Sequence, residues 1–142
     1  MIDNYKTVLS NYNTIVFDFD GVIVDSNELK RNLFIEIWDG YNIDTNLIRE
    51  IISQKGNRNT YIKLIYDLVS KKNVLLYDVD YFIQYYTKLA EDKIVNQGIN
   101  SWVLEILSNF QGKKFINSAT PTNTLIDICK KLDIYKYFNE IL

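Results

Sequence analysis

Two short apolar runs frame this chain and limit what it can fold into. The first, "TIVFDF" (residues 14–19), is closed by Gly21, and the second, "KKFINSA" (113–119), follows a Gln111-Gly112 stop. Both are short, β-rich and bounded by turn signals, so they read as buried strands. The apolar pattern between them has helical periodicity. Strands separated by helices belong to β-α-β units of a parallel sheet, and the fold class is therefore α/β.

The helical stretch is long. From Ser26, a plausible N-cap, Leu29, Leu33, Phe34 and Ile37 share one face. A second helix begins after Asp44 with Leu47, Ile48, Ile51 and Ile52 inward. A third carries Tyr61, Ile62, Ile65, Leu68 and Val69, and a fourth Val79, Phe82, Ile83, Tyr86 and Ala90. "SWVLEILSNF" continues as a further helix that crosses over to the second strand. Thr120-Pro121 then opens a helix with Leu125, Ile128, Cys129 and Leu132 inward, proline being suited to a first-turn position. "YFNEIL" (137–142) reads as the approach to a third strand. This order makes residues 1–25 and 98–142 an α/β core and residues 26–97 an all-helical insertion.

Composition narrows the chemistry. With 142 residues, 47% hydrophobic, the chain can bury a core without disulfides. There is no histidine and only one cysteine, Cys129. That excludes Ser-His-Asp and Cys-His catalysis and His-ligated zinc within the chain, and leaves oxygen ligands for a hard cation. A net charge of -2 without a basic run argues against a nucleic-acid partner. The start "MIDNYKTVLSNYN" lacks the basic and apolar regions of a secretory signal, and no run is long enough for a membrane helix. A lone cysteine is compatible with a reducing compartment, so the expected location is the cytoplasm.

Function concentrates at the strand ends. Ligands of open parallel sheets bind beyond the carboxyl ends of the strands. Asp18 and Asp20 lie at the end of the first strand; Ser118 and Thr120 lie at the end of the second. If the strands are neighbours, two carboxylates face a hydroxyl and the start of the helix near Pro121, a ready anion site. Carboxylates beside an anion repel it unless a cation lies between them, and Mg²⁺ suits that place. Gly21 lets the chain turn so that the second acid can reach another side of the substrate. One carboxylate could then attack phosphorus while the other protonates the leaving oxygen. Each residue alone has a simpler reading: Asp-x-Asp as a solvated turn, Ser118 as a strand-end hydrogen-bonder, Thr120 as an N-cap.

Taken together, "IVFDFDGVIVDS" resembles the first motif of the haloacid dehalogenase superfamily of phosphohydrolases, and "FINSATP" resembles its second. "NTLIDICKKLDIYKYFNEIL" resembles the helix and strand approach that follow in the phosphatase and β-phosphoglucomutase-like branch. The resemblance implies a Rossmann-like parallel core with a helical cap inserted between the two motifs. It implies Asp18 as nucleophile and Mg²⁺ ligand, and Asp20 as general acid/base with its backbone carbonyl on the metal. Ser118 and the adjoining Ala119 would bind the phosphoryl group. An acid at position 20 favours phosphoryl transfer over dehalogenation. The implied substrate is a small phosphorylated metabolite, with hydrolysis as the leading reaction and a phosphomutase or a non-catalytic phosphate-binding domain as alternatives. In the cap, "SQKGNRNTYIK" (53–63) joins two helices, and Arg58 there either reads an anionic substrate or is solvated.

The family also uses a later lysine and acidic Mg²⁺ ligands on a further strand, and both would fall after Leu142. Lys113, Lys114, Lys130 and Lys131 stand in the wrong places to replace that lysine. The expectation is a chain truncated before the third and fourth motifs, with weak or no activity. It is read as a fragment, as a short form completed by a partner through a homodimer or strand exchange, or as a binder.

Overall fold

The computed structural model describes the backbone of residues 2–142 and the side chains of residues 4–142. It divides into two compact units, 1–26 with 94–142, and 27–93.

The first unit holds the sheet. Strands β1 (Thr14–Phe17), β2 (Lys113–Ile116) and β3 (Glu140–Ile141) pair in parallel in the order β1-β2-β3. Thr14 aligns with Lys113 and Phe17 with Ile116, so both strands end level with one another. The strands are shorter than the apolar runs that announce them. Asn117 N donates to Phe17 O at 2.9 Å, and beyond that bond the chain leaves the ladder. Phe19 is fully buried, yet its carbonyl serves a turn. Apolarity reports burial and does not mark where pairing stops.

Helices α6 (Ser101–Asn109) and α7 (Thr122–Lys131) connect the strands. Val103, Ile106 and Leu107 of α6 and Leu125, Ile128 and Cys129 of α7 are buried, as their spacing predicts. α7 ends in a left-handed turn: Asp133 has φ 56° and Ile134 N reaches back to Cys129 O at 3.0 Å, which satisfies a carbonyl at the helix end. A 3-10 turn (Tyr135–Tyr137) follows, and the edge of Phe138 packs on the Phe17 ring at 6.0 Å. A helix without a clear sequence signal, α1 (Ile2–Leu9), precedes the sheet. Lys6 pairs with Glu105 of α6 at 3.6 Å, and Tyr5, Leu9, Ile106 and Phe110 line a shared groove. So short a helix is marginal alone and owes its form to such packing.

The second unit contains α2 (Asn27–Glu36), α3 (Thr45–Ser53), α4 (Arg58–Ser70) and the larger part of α5 (Val79–Gln97). Its core joins Leu33, Phe34, Ile37, Trp38, Ile48, Ile62, Ile65, Phe82 and Tyr86. Trp38 stacks on Phe82 with ring centroids 4.4 Å apart, and Phe34 stacks on Tyr86 at 4.5 Å. Asp44 caps α3 through Asn46 N, and Asn57 caps α4 through Thr60 N. Leu47, expected inward, lies at the margin of the α3 stripe and is exposed.

Candidate active site

The site grows from the carboxyl end of β1. Phe19 points into the core, so its neighbours Asp18 and Asp20 project away from it. The next five residues form a tight turn. Phe19 O accepts from Val22 N, Ile23 N and Val24 N, and Gly21 N donates to Val24 O at 2.7 Å. Gly21 has φ 79°, a left-handed conformation that favours glycine. Ile23 and Val24 are fully buried and fix the turn from below. Its carbonyls are held as well: Asn100 Nδ2 donates to Val22 O at 2.7 Å, Asn100 N to Ile23 O at 2.9 Å, and Gln97 to Asp25 O at 2.5 Å.

This turn returns the chain to Asp20. Ser26 Oγ donates to Asp20 Oδ1 at 2.5 Å, and Ser26 is fully buried. Ser26 was expected to cap the following helix; its hydroxyl serves Asp20 and, at 3.4 Å, Val24 O instead. The other carboxylate oxygen of Asp20 accepts from Thr120 Oγ1 at 3.2 Å. Thr120, read as an N-cap, does not occupy the cap position. Pro121 occupies it, and α7 starts at Thr122. The pairing of β1 with β2 is what carries Thr120 to Asp20.

Asp18 is exposed. Its Oδ1 accepts from Phe19 N at 2.7 Å. At the end of β2, Ser118 Oγ accepts from Thr120 N at 3.1 Å, so its own proton points elsewhere and can be donated to a ligand. Ala119 is exposed in the bend that follows. The sheet therefore brings Asp18, Asp20, Ser118 and Thr120 to one edge. Sequence reasoning missed the pairing of Ser26 and Thr120 with Asp20. Its only trace is a hydroxyl at the close of each motif, where helix caps also occur.

Arg58 was expected in a loop; it is the first residue of α4, with Nε on Asn59 Oδ1 at 3.3 Å. It belongs to the second unit. The loop before it is held by Tyr61, whose hydroxyl donates to Gln54 O at 2.6 Å. Lys113 lies at the entry of β2, at the opposite end from the acids, and Lys114 Nζ lies over the Phe110 ring at 5.6 Å. Lys130 Nζ lies over the Tyr135 ring at 5.3 Å, and Lys131 closes α7.

The donor set fits a hard cation. Asp18 offers an exposed carboxylate, and imidazole is absent from the chain. The Cys129 thiol is fully buried, and that burial pushes its pKa up to about 12. Among the described residues no group of three potential metal ligands assembles. A Mg²⁺ ion held here would take one or two carboxylates and complete its shell with water and substrate phosphate, its common mode of binding.

The profile of the haloacid dehalogenase-like hydrolases matches residues 15–142, and the chain belongs to that family. No match occurs among curated proteins. Among solved structures, a β-phosphoglucomutase candidate from Thermotoga maritima superposes with a TM-score of 0.72 at 18% identity, over 92% of this chain and 60% of that one. The HAD-hydrolase YfnB from Bacillus subtilis, described as bound to magnesium, gives 0.64 at 16% identity, over 92% and 64%. CbbY from Rhodobacter sphaeroides, in complex with phosphate, gives 0.62 at 16% identity, over 91% and 62%. The chain thus spans about three-fifths of the length of these structures. They share its fold, a parallel α/β core with a helical insertion.

Proposed function

We propose that this chain carries the nucleophile of a Mg²⁺-dependent phosphohydrolase site acting on small phosphorylated metabolites. Asp18 attacks phosphorus through a carboxylate oxygen and becomes an aspartyl-phosphate as the leaving oxygen departs. Asp20 gives that oxygen its proton, then takes one from the water that hydrolyses the acyl-phosphate. Ser118 and the Ala119 segment hold the phosphoryl oxygens. Mg²⁺, when bound, neutralises charge between phosphate and carboxylate; Asp18 and the backbone carbonyl of Asp20 would hold it.

The observation that carries this reading is the pair of hydroxyls on Asp20. Ser26 Oγ and Thr120 Oγ1 each meet one carboxylate oxygen. A hydroxyl can donate or accept, so Asp20 keeps its partners in either protonation state. A group that alternately gives and takes a proton needs that, and it contributes about 10²–10⁴-fold in such reactions. Arg58, at the start of α4 in the helical insertion, binds an anionic part of the substrate. Lys113, Lys114 and Lys130 stand away from these acids, and turnover is slow.

Phosphorylation by acetyl phosphate tests this directly. With Mg²⁺, Asp18 is expected to acquire a hydroxylamine-labile phosphoryl group that Asp18→Asn lacks. A chain that gains none, or gains it equally in Asp18→Asn, overturns the assignment. Turnover of an aryl phosphate at ordinary phosphatase rates would overturn the claim of slow catalysis. Arg58→Ala should raise KM for phosphorylated sugars and leave the aryl phosphate unaffected; equal losses on both would remove Arg58 from substrate binding.

A further inference from the structure

The second unit presents an aromatic surface at the margin of its core, where the Tyr81 ring packs edge-on against Phe82 at 5.5 Å. Tyr77, in the bend before α5, and Tyr81 and Tyr85 on its first turns follow one another at four-residue spacing, and all three are exposed. Their rings stack: Tyr77 and Tyr81 have centroids 4.0 Å apart at 16°, and Tyr81 and Tyr85 6.0 Å apart, also at 16°. The loop leading into the ladder exposes Val74 at 91% and Leu76 at 85%. Single exposed apolar residues are ordinary, but a run of three stacked, exposed rings is the kind of surface that marks an interaction site.

The ladder is held in place. Tyr66 Oη donates to Tyr77 O at 3.1 Å, which ties the loop to α4. Asp78 Oδ1 accepts from Tyr81 N at 2.9 Å and fixes the first turn. Stacked tyrosines have already lost much of their rotamer freedom, so less remains to be lost on binding.

Charges along the same stripe choose the occupant. Asp78 stands immediately before α5, and Lys88 lies further along it on the side of Tyr81 and Tyr85 by helical spacing. Turn a second copy of α5 antiparallel, about a two-fold axis level with Ile83. Tyr81 then meets Tyr85 of the partner subunit, and Asp78 meets Lys88 of the partner subunit, twice by symmetry. An isologous interface needs this self-complementarity. Lys88 is already in an exposed pair with Asp92 at 3.7 Å, a weak contact that competes little.

We propose that the tyrosine ladder of α5 is a homodimer interface, with Tyr81 and Tyr85 as its apolar centre and the Asp78–Lys88 pairs setting the antiparallel register. The partner is a second copy of this chain.

Sedimentation of the full chain over a concentration series tests this. A monomer–dimer equilibrium is expected, and Tyr81→Ser/Tyr85→Ser should weaken it by tenfold or more. Asp78→Asn and Lys88→Gln should each weaken it, and the double variant should cost less than the sum of the two. Circular dichroism and thermal melts check that the variants remain folded. A chain that stays monomeric, whatever peptide or sugar its tyrosines then bind, overturns the proposal. So does a dimer unmoved by the tyrosine substitutions.

Discussion

Ser26 Oγ donates to Asp20 Oδ1 at 2.5 Å across a six-residue turn, from a position with no solvent exposure. The contact joins an acid at the edge of the sheet to a buried hydroxyl. A hydrogen bond to a charged group contributes about 1.5–3 kcal/mol, somewhat more than a neutral one. Ser26→Ala should therefore lower the stability of the chain by about 1.5–3 kcal/mol. Urea unfolding measures it as a lower midpoint at unchanged slope. A change of only a few tenths would mean that water replaces the hydroxyl without loss.

Gly21 makes the turn between those two residues possible. Its φ of 79° suits glycine, and an alanine there pays the left-handed penalty of about 1–2 kcal/mol. Gly21→Ala should destabilise the chain by about that amount and also misdirect Asp20. Gly112 is constrained differently: a Cβ there would run into the backbone of Asn13, whose carbonyl accepts from Lys113 N at 2.8 Å. Gly112→Ala should therefore disturb the start of the β1–β2 ladder. Denaturation curves for the two variants, with wild type as reference, check both expectations.

Helix faces were legible because burial imposes a period on the sequence, and the family motif marked where the sheet would present its acids. Ser26 and Thr120 were misread for a physical reason. A hydroxyl before a helical pattern is the ordinary signature of a cap. Only the parallel pairing of β1 with β2 brings Thr120 Oγ1 to Asp20, 100 residues away. The same holds for α1, whose short pattern means little until α6 is beside it, and for the tyrosine ladder. Tyr77, Tyr81 and Tyr85 stay exposed while Phe34, Trp38, Phe82 and Tyr86 fill the core.

Cys129 supplies a pH-dependent prediction. Burial raises its thiol from 9.0 to about 12. Between these values the unfolded chain releases the proton while the folded chain keeps it. The folded state then binds more protons, and stability falls as pH rises. The contribution is intact below about pH 9 and is lost progressively toward pH 12. Cys129→Ala or Cys129→Val should flatten the alkaline limb of the stability profile, although Cys129→Ala also leaves a small cavity. Native protein at pH 8 should resist alkylation, which should become rapid in urea; rapid labelling of the native chain would contradict the burial.

Asp20→Asn separates the two halves of the proposed reaction. Attack by Asp18 on acetyl phosphate expels acetate, which needs little help from an acid. Hydrolysis of the resulting aspartyl-phosphate needs a base to take the proton from water, and that base is Asp20. An asparagine keeps the shape and can still accept from Ser26 or Thr120 through its carbonyl oxygen, but it cannot take a proton. Asp20→Asn should therefore become phosphorylated at Asp18 and then hold the group about 10²-fold longer, the lower range for general-base loss. The decay of the hydroxylamine-labile phosphoryl group, followed after removal of acetyl phosphate, measures it. Thr120→Val should fall between wild type and Asp20→Asn, because it removes one hydroxyl from Asp20 and leaves the carboxylate in place. If Asp20→Asn is not phosphorylated, or loses the group as fast as wild type, Asp20 is not the base for this step.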